Sequence, residues 1–177
     1  DRNLLKGSLI LLITFNIFNI LNFIFQISMA RLLTLQDYGV FAALTYLITI
    51  FAVFNESILT IISRYSTNEK NPGKVKNLLN KSMKKTTKGS LLCFLVFSLA
   101  SIPLAYLLKI DILLIILTGT MIFPSIFLPI TRGVLQGKMK FNSLGMSMIL
   151  DGALKLIIGI FLVSIGWKVY GAVAGIV

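Results

Sequence analysis

The feature that most limits what this chain can become is a succession of uninterrupted apolar blocks, each rich in Leu, Ile and Phe and bounded by charges or turn formers. They run over roughly 8–30, 40–63, 89–108, 112–131 and 143–165, and a sixth begins near Tyr170. Blocks of about 18–25 residues match the length a helix needs to cross a hydrocarbon layer of about 30 Å. Inside that layer every backbone amide and carbonyl must find a partner within the protein, and for blocks this long the helix is the form that provides it. The sequence therefore predicts an all-α, polytopic membrane helical bundle. Composition agrees: 56% of the residues are hydrophobic and 13% charged, too few charges for a water-soluble surface. The chain opens at Asp1 instead of Met, so it is expected to be cut from something longer. No secretory signal is legible, because the first block is too long and lacks a small-residue cleavage site.

The net charge of +11 is confined to the gaps between blocks, without the aromatic interleaving of a nucleic-acid surface, so no nucleic-acid partner is expected. Arg2 and Lys6 precede span one, Arg64, Lys70, Lys74, Lys76, Lys81, Lys84, Lys85 and Lys88 follow span two, and Arg132, Lys138 and Lys140 follow span four. Only Arg31, Lys109 and Lys168 fall on the other side. The positive-inside rule then puts the N-terminus, 64–88 and 132–142 in the cytoplasm and 31–38 and 166–169 outside, as in a multi-pass protein of the cell membrane. Cys93 is the one cysteine and His is absent, which removes internal disulfides and Cys/His metal sites.

The basic link 64–88 has internal order. Asn71 and Pro72 suit a helix start, and Val75, Leu78, Leu79, Ser82 and Met83 recur at helical spacing with lysines on the other face. The pattern predicts an amphipathic helix along the inner headgroup layer, with a solvated charged linker as the alternative. Lys74, Lys81, Lys84 and Lys85 are the expected contacts to membrane lipids, anionic headgroups included.

Polar residues inside the spans mark candidate sites. Asn16, Asn19, Asn22 and Gln26 fall within about a third of the helical circumference, at about 100° per residue. Glu56 sits beside Asn55 well inside span two, where an ionised carboxylate costs about 2.5–3.5 kcal/mol on insertion scales. On span five Asp151 and Lys155 are one turn apart on a face that Ser147 extends, while Gly145, Gly152 and Gly159 form a separate ridge suited to close helix approach. Two readings stay open. The polar faces can line a hydrated cavity, or the asparagines can be interhelical glue and Asp151/Lys155 a self-neutralising buried pair. Pro103, Pro124 and Pro129 can bend or break their helices. No phosphate loop, paired catalytic carboxylates or Ser/His or Cys/His set occurs, so no catalytic residue, metal site or cofactor is expected and the chain is not expected to be an enzyme.

Three stretches carry a resemblance. "ARLLTLQDYGVFAAL" (30–44), "TRGVLQGKMKF" (131–141) and "LVSIGWKVYGAVAG" (162–175) resemble, in order and spacing, the first outer loop, the inner loop after the fourth helix and the fifth-to-sixth helix turn of the polysaccharide biosynthesis exporters. These are the oligosaccharide flippases of the multidrug/oligosaccharidyl-lipid/polysaccharide exporter superfamily. The resemblance implies two bundles around a central cavity working by alternating access, with this chain the N-terminal fragment. It further implies that cavity basic residues meet an anionic, diphosphate-linked or otherwise acidic glycan. By position Lys155 resembles a basic cavity residue of the fifth helix, and Arg31 and Arg132 match loop residues.

The expected function is export or flipping of a lipid-linked oligosaccharide or polysaccharide precursor. Lys155, Asp151, Glu56, Asn19, Asn22 and Gln26 are the cavity candidates, and glycan-assembly proteins are further expected partners. Two alternatives accompany it. A cation-coupled drug or metabolite exporter of the same superfamily would use Glu56 and Asp151 as coupling carboxylates, and a non-transporting membrane scaffold would need no continuous polar interior.

Overall fold

The computed structural model describes residues 2–69 and 71–176 and, among these, every side chain but those of 2–5, 51, 54 and 72. Lys70 of the basic link lies outside the described residues. The elements in order are α1 (Arg2–Leu32), α2 (Leu35–Asn68), α3 (Pro72–Leu108), α4 (Ile112–Gly119), α5 (Ile122–Gly137), α6 (Phe141–Leu162) and α7 (Lys168–Ile176), with a wide π turn, Val163–Trp167, before α7. The described residues contain no strand. Five helical stretches among them, Lys6–Leu32, Leu35–Asn68, Gly73–Leu108, Ile112–Gly137 and Phe141–Ile176, are long and apolar enough to cross a membrane. Leu12, Phe23, Leu92, Leu99 and Ile157 stand more than half exposed on them, an outer surface that lipid, not water, suits. The protein is a multi-pass helical membrane protein.

Local chemistry sets several helix ends. Thr34 starts α2: its hydroxyl oxygen accepts the Asp37 amide at 3.2 Å, an N-cap bond, and the hydroxyl donates to the Asp37 carboxylate at 2.8 Å. The link between α1 and α2 is thereby reduced to Leu33 and Thr34. Asn71 caps α3 by accepting from the Gly73 amide at 2.9 Å with Pro72 at the first turn, as the sequence predicts. Lys109 closes α3 in the left-handed region, φ 54°, and Asp111 accepts the Leu113 amide at 3.1 Å to open α4.

Two apolar blocks are interrupted. Block 112–131 breaks at Thr120 and Met121, where the amides of Thr120, Met121 and Phe123 each bond three residues back instead of four. Pro124 is the reason, since it has no amide to give the Thr120 carbonyl and its ring crowds that oxygen. Pro103 and Pro129 stay inside unbroken helices. The stretch 141–176 breaks at Gly166, whose φ of 104° is open to glycine and strained for other residues.

Two compact units result. One comprises 1–43 and 139–177, the other 44–138. In the second, α3 packs on α4 and α5 around Ile115 and Ile130, with the Phe94 and Phe123 rings 5.5 Å apart. Gly133 and Gly137 let α5 reach the α2 backbone: a Cβ on Gly133 would lie 3.0 Å from the Leu59 carbonyl oxygen, and one on Gly137 would meet that of Ser63. The Thr67 hydroxyl donates to the Gly137 carbonyl at 3.2 Å and the Lys138 ammonium to the Glu69 carbonyl at 2.6 Å. The Glu69 carboxylate takes the Asn71 amide at 3.0 Å and lies 3.7 Å from Lys74. The Asn71 bond, opposed by desolvation and helped by the Lys74 charge, holds its pKa below the usual carboxylate value. The stability this carboxylate contributes is therefore present above the ordinary value of 4.5 and fades as the pH falls through the lowered one.

The basic link departs from expectation. From Pro72 on it is helical, but α3 continues unbroken through the apolar block to Leu108, 37 residues in all. At about 1.5 Å per residue that is about 55 Å, well beyond a hydrocarbon layer of about 30 Å. Gly89 alone does not break it, since one glycine costs a helix only about 1 kcal/mol. Val75 is buried within the protein, and Leu78, Leu79, Ser82 and Met83 are half-buried. The apolar stripe thus meets protein, and the helix of the link is continuous with the apolar block that follows. Spin labels along 73–86 should show a 3.6-residue period, immobilised at 75, 79 and 83 and water-accessible at 74, 81 and 85. Lipid immersion of the 75/79/83 stripe would contradict this packing.

Candidate functional site

Within the unit of 1–43 and 139–177, α1 and α6 run parallel in close contact. The ridge Gly145, Gly152 and Gly159 receives side chains from α1 in the same order: a Cβ at Gly145 would meet the Thr14 hydroxyl at 2.7 Å, one at Gly152 the Phe18 and Leu21 side chains at 3.1 and 3.2 Å, and one at Gly159 the Phe25 ring at 2.5 Å. Gly159 is shared. A Cβ on Gly175 of α7 would lie 2.5 Å from its Cα, so α7 folds back on α6 as an antiparallel hairpin with the two backbones touching. Phe25 is fully buried and meets the Phe41 ring edge-on at 6.0 Å.

This register sets the polar geometry. Taking about 100° per residue, Asn22 lies on one edge of the α1 face that enters the ridge, and Lys155 lies on an edge of the α6 face. The edges coincide: the Lys155 ammonium donates to the Asn22 side-chain carbonyl at 2.8 Å and stands 4.8 Å from the centre of the Phe25 ring, within cation–π reach. The Asn22 amide nitrogen turns back to the Phe18 carbonyl at 2.9 Å, leaving its oxygen to the lysine. Asp151 and Gln26, both half-buried, and Asn19, exposed, continue outward on the same flank. The result is a polar seam along one side of the α1–α6 contact.

The amide stripe of α1 is thus divided. Asn22 is in the interface, whereas Asn16 faces outward and bonds its own Leu12 carbonyl at 2.8 Å. Glu56 belongs to the other unit, exposed on α2 with no hydrogen bond or ion pair among the described residues, and next to it Asn55 Oδ1 is buried without a described partner. Lys74, Lys81, Lys84 and Lys85 are exposed on α3. Sequence reasoning overlooked Phe25. Its one sequence signal is position: it lies three residues after Asn22 and one turn from Leu21, on the face that packs.

The family model of polysaccharide biosynthesis proteins matches residues 4–177. The chain belongs to that family. No curated protein and no solved structure matches it. Membership ties this chain to polysaccharide biosynthesis.

A double-mutant cycle of Asn22→Leu and Lys155→Met, read from unfolding free energies in mixed micelles, should give a coupling of about 1 kcal/mol, within the range for interhelical hydrogen bonds in membranes. Additive effects would mean that the two side chains do not meet.

Proposed function

We propose that the chain forms part of a carrier that moves a lipid-linked saccharide across the cytoplasmic membrane by alternating access, with its N-terminus in the cytoplasm and with no bond made or broken. The observation that carries this reading is the ammonium group of Lys155, kept within a span on Asn22 and Phe25 in a polysaccharide biosynthesis protein. A cation in the apolar layer is retained only where something offsets its desolvation. An amide oxygen and an aromatic face hold it in place without cancelling its charge, which leaves that charge to attract the anionic diphosphate or acidic sugar of a lipid-linked glycan. Asp151, one turn away on α6, tempers the attraction and lets the substrate leave. A tight, uncontested anion site would bind and not transport.

The test is flipping per folded molecule in reconstituted vesicles. Lys155→Gln should keep protein abundance and lower the initial rate at subsaturating lipid-linked substrate by about tenfold, the equivalent of about 1.4 kcal/mol of lost interaction, while Asp151→Asn changes it less. Rates equal to the parent across substrate concentrations would remove Lys155 from the path. A loss of folded yield with unchanged activity per molecule would make the residue structural.

A further inference from the structure

The same helix pair carries a second cationic feature where it meets the membrane surface. An open cavity of about 360 Å³ lies at the N-terminal ends of α1 and α6, lined by Lys6 and Ile10 from α1 and by Met139, Lys140, Phe141 and Ser143 from the start of α6. Among the described residues its lining includes two lysines and no carboxylate. Both lysines are exposed, as is Met139, while Phe141 packs over Gly7. Lys140 precedes α6 without a side-chain cap, so the first amides of that helix add their positive end to the two ammonium groups.

Because α1 and α6 are parallel, Lys6 and Lys140 stand at one membrane boundary, the side that the distribution of basic residues assigns to the cytoplasm. Two ammonium groups beside Ile10, Met139 and Phe141 make a mixed surface. An anion of a soluble metabolite has no use for the apolar part, and a neutral lipid has none for the cations. The ligand that matches both is a phosphate or diphosphate group on a lipid chain, its charge on the lysines and its first methylenes on the apolar wall. From Lys6 to Asn22 along α1, and from Lys140 to Lys155 along α6, is about 22–24 Å at 1.5 Å per residue. One helix pair therefore presents a cationic site at the surface and another deep in the span.

We propose that the Lys6/Lys140 pocket is the cytoplasmic receiving site for the diphosphate headgroup of the lipid-linked substrate, occupied before that headgroup reaches Lys155. This rests on the transport reading above, and the two can be separated by experiment.

The full-length protein in phosphatidylcholine nanodiscs is titrated with a polyprenyl diphosphate and, separately, with inorganic pyrophosphate, and flipping of the lipid-linked saccharide is followed in parallel in vesicles. Lys6→Gln/Lys140→Gln should bind the prenyl probe about tenfold or more weakly and raise the substrate concentration needed for half-maximal flipping. Lys6→Arg/Lys140→Arg should retain both, and Lys109→Gln/Lys168→Gln, which removes the same charge from the opposite side, should match the parent. Equal affinity of parent and Lys6→Gln/Lys140→Gln, or an equal loss in the Lys109→Gln/Lys168→Gln protein, overturns the site. Inorganic pyrophosphate binding as tightly as the prenyl probe overturns the lipid assignment. Probe binding that depends on the lysine pair in a parent protein that flips nothing supports the pocket and contradicts the transport reading instead. Normal flipping with no effect of the lysine pair does the reverse.

Discussion

The contact of α1 with the glycine ridge of α6 is what the polar geometry of the first unit depends on. Lipid tails are as apolar as leucine, so two spans gain nothing from hiding hydrophobic surface against each other and must associate through close packing and a few hydrogen bonds. Gly145, Gly152 and Gly159 supply the closeness, and side chains of α1 from Thr14 to Phe25 fill the space in matching order. That register fixes which residue of α1 stands beside Lys155. A rotation of α1 by a single residue, about 100°, would take Asn22 away from the ammonium and put an apolar side chain, Leu21 or Phe23, there. Gly159 carries a second duty by admitting the α7 backbone, so one missing side chain serves two interfaces.

The second unit uses the same device at Gly133 and Gly137, where α5 reaches the carbonyls of α2. Several buried hydroxyls are satisfied locally. Thr14, Thr118 and Ser101 return their hydroxyls to the carbonyls of Ile10, Leu114 and Ser98 on their own helices, which lets them sit buried in a medium that offers no water. Lys155 departs from this habit, as Thr67 does at Gly137: its ammonium reaches across to another helix.

Much of this was legible in the sequence, for physical reasons that differ from element to element. The spans could be read because hydrocarbon thickness sets block length, and the α3 cap at Asn71–Pro72 because its chemistry is local. The glycine ridge could be read because a spacing of seven returns to one helix face. The continuity of α3 could not, since a change from amphipathic to apolar pattern near Lys88 reports a change of surroundings and not of backbone direction. Nor could the one breaking proline be told from the others: Pro124 breaks its helix where Gly119 and Thr120 precede it, Thr120 turning its hydroxyl to the Leu117 carbonyl at 2.6 Å, while Pro103 and Pro129 are carried through. The α1 amides looked like one stripe, and only knowledge of what fills the α6 ridge distinguishes Asn22 from Asn16. How Glu56 relates to the seam is a matter of how two units combine, which no periodicity encodes.

The central claim is that helix packing delivers the Lys155 ammonium to the Asn22 carbonyl inside the membrane. Magic-angle-spinning NMR of the protein in lipid bilayers, with ¹⁵N in lysine side chains and ¹³C in asparagine side chains, measures that contact without altering it. The account predicts a through-space transfer between the Lys155 side-chain nitrogen and the Asn22 side-chain carbonyl carbon, lost when Gly152→Leu wedges α1 from α6. A Lys155 nitrogen that couples to water or lipid phosphate but not to Asn22 in the unaltered protein would contradict it.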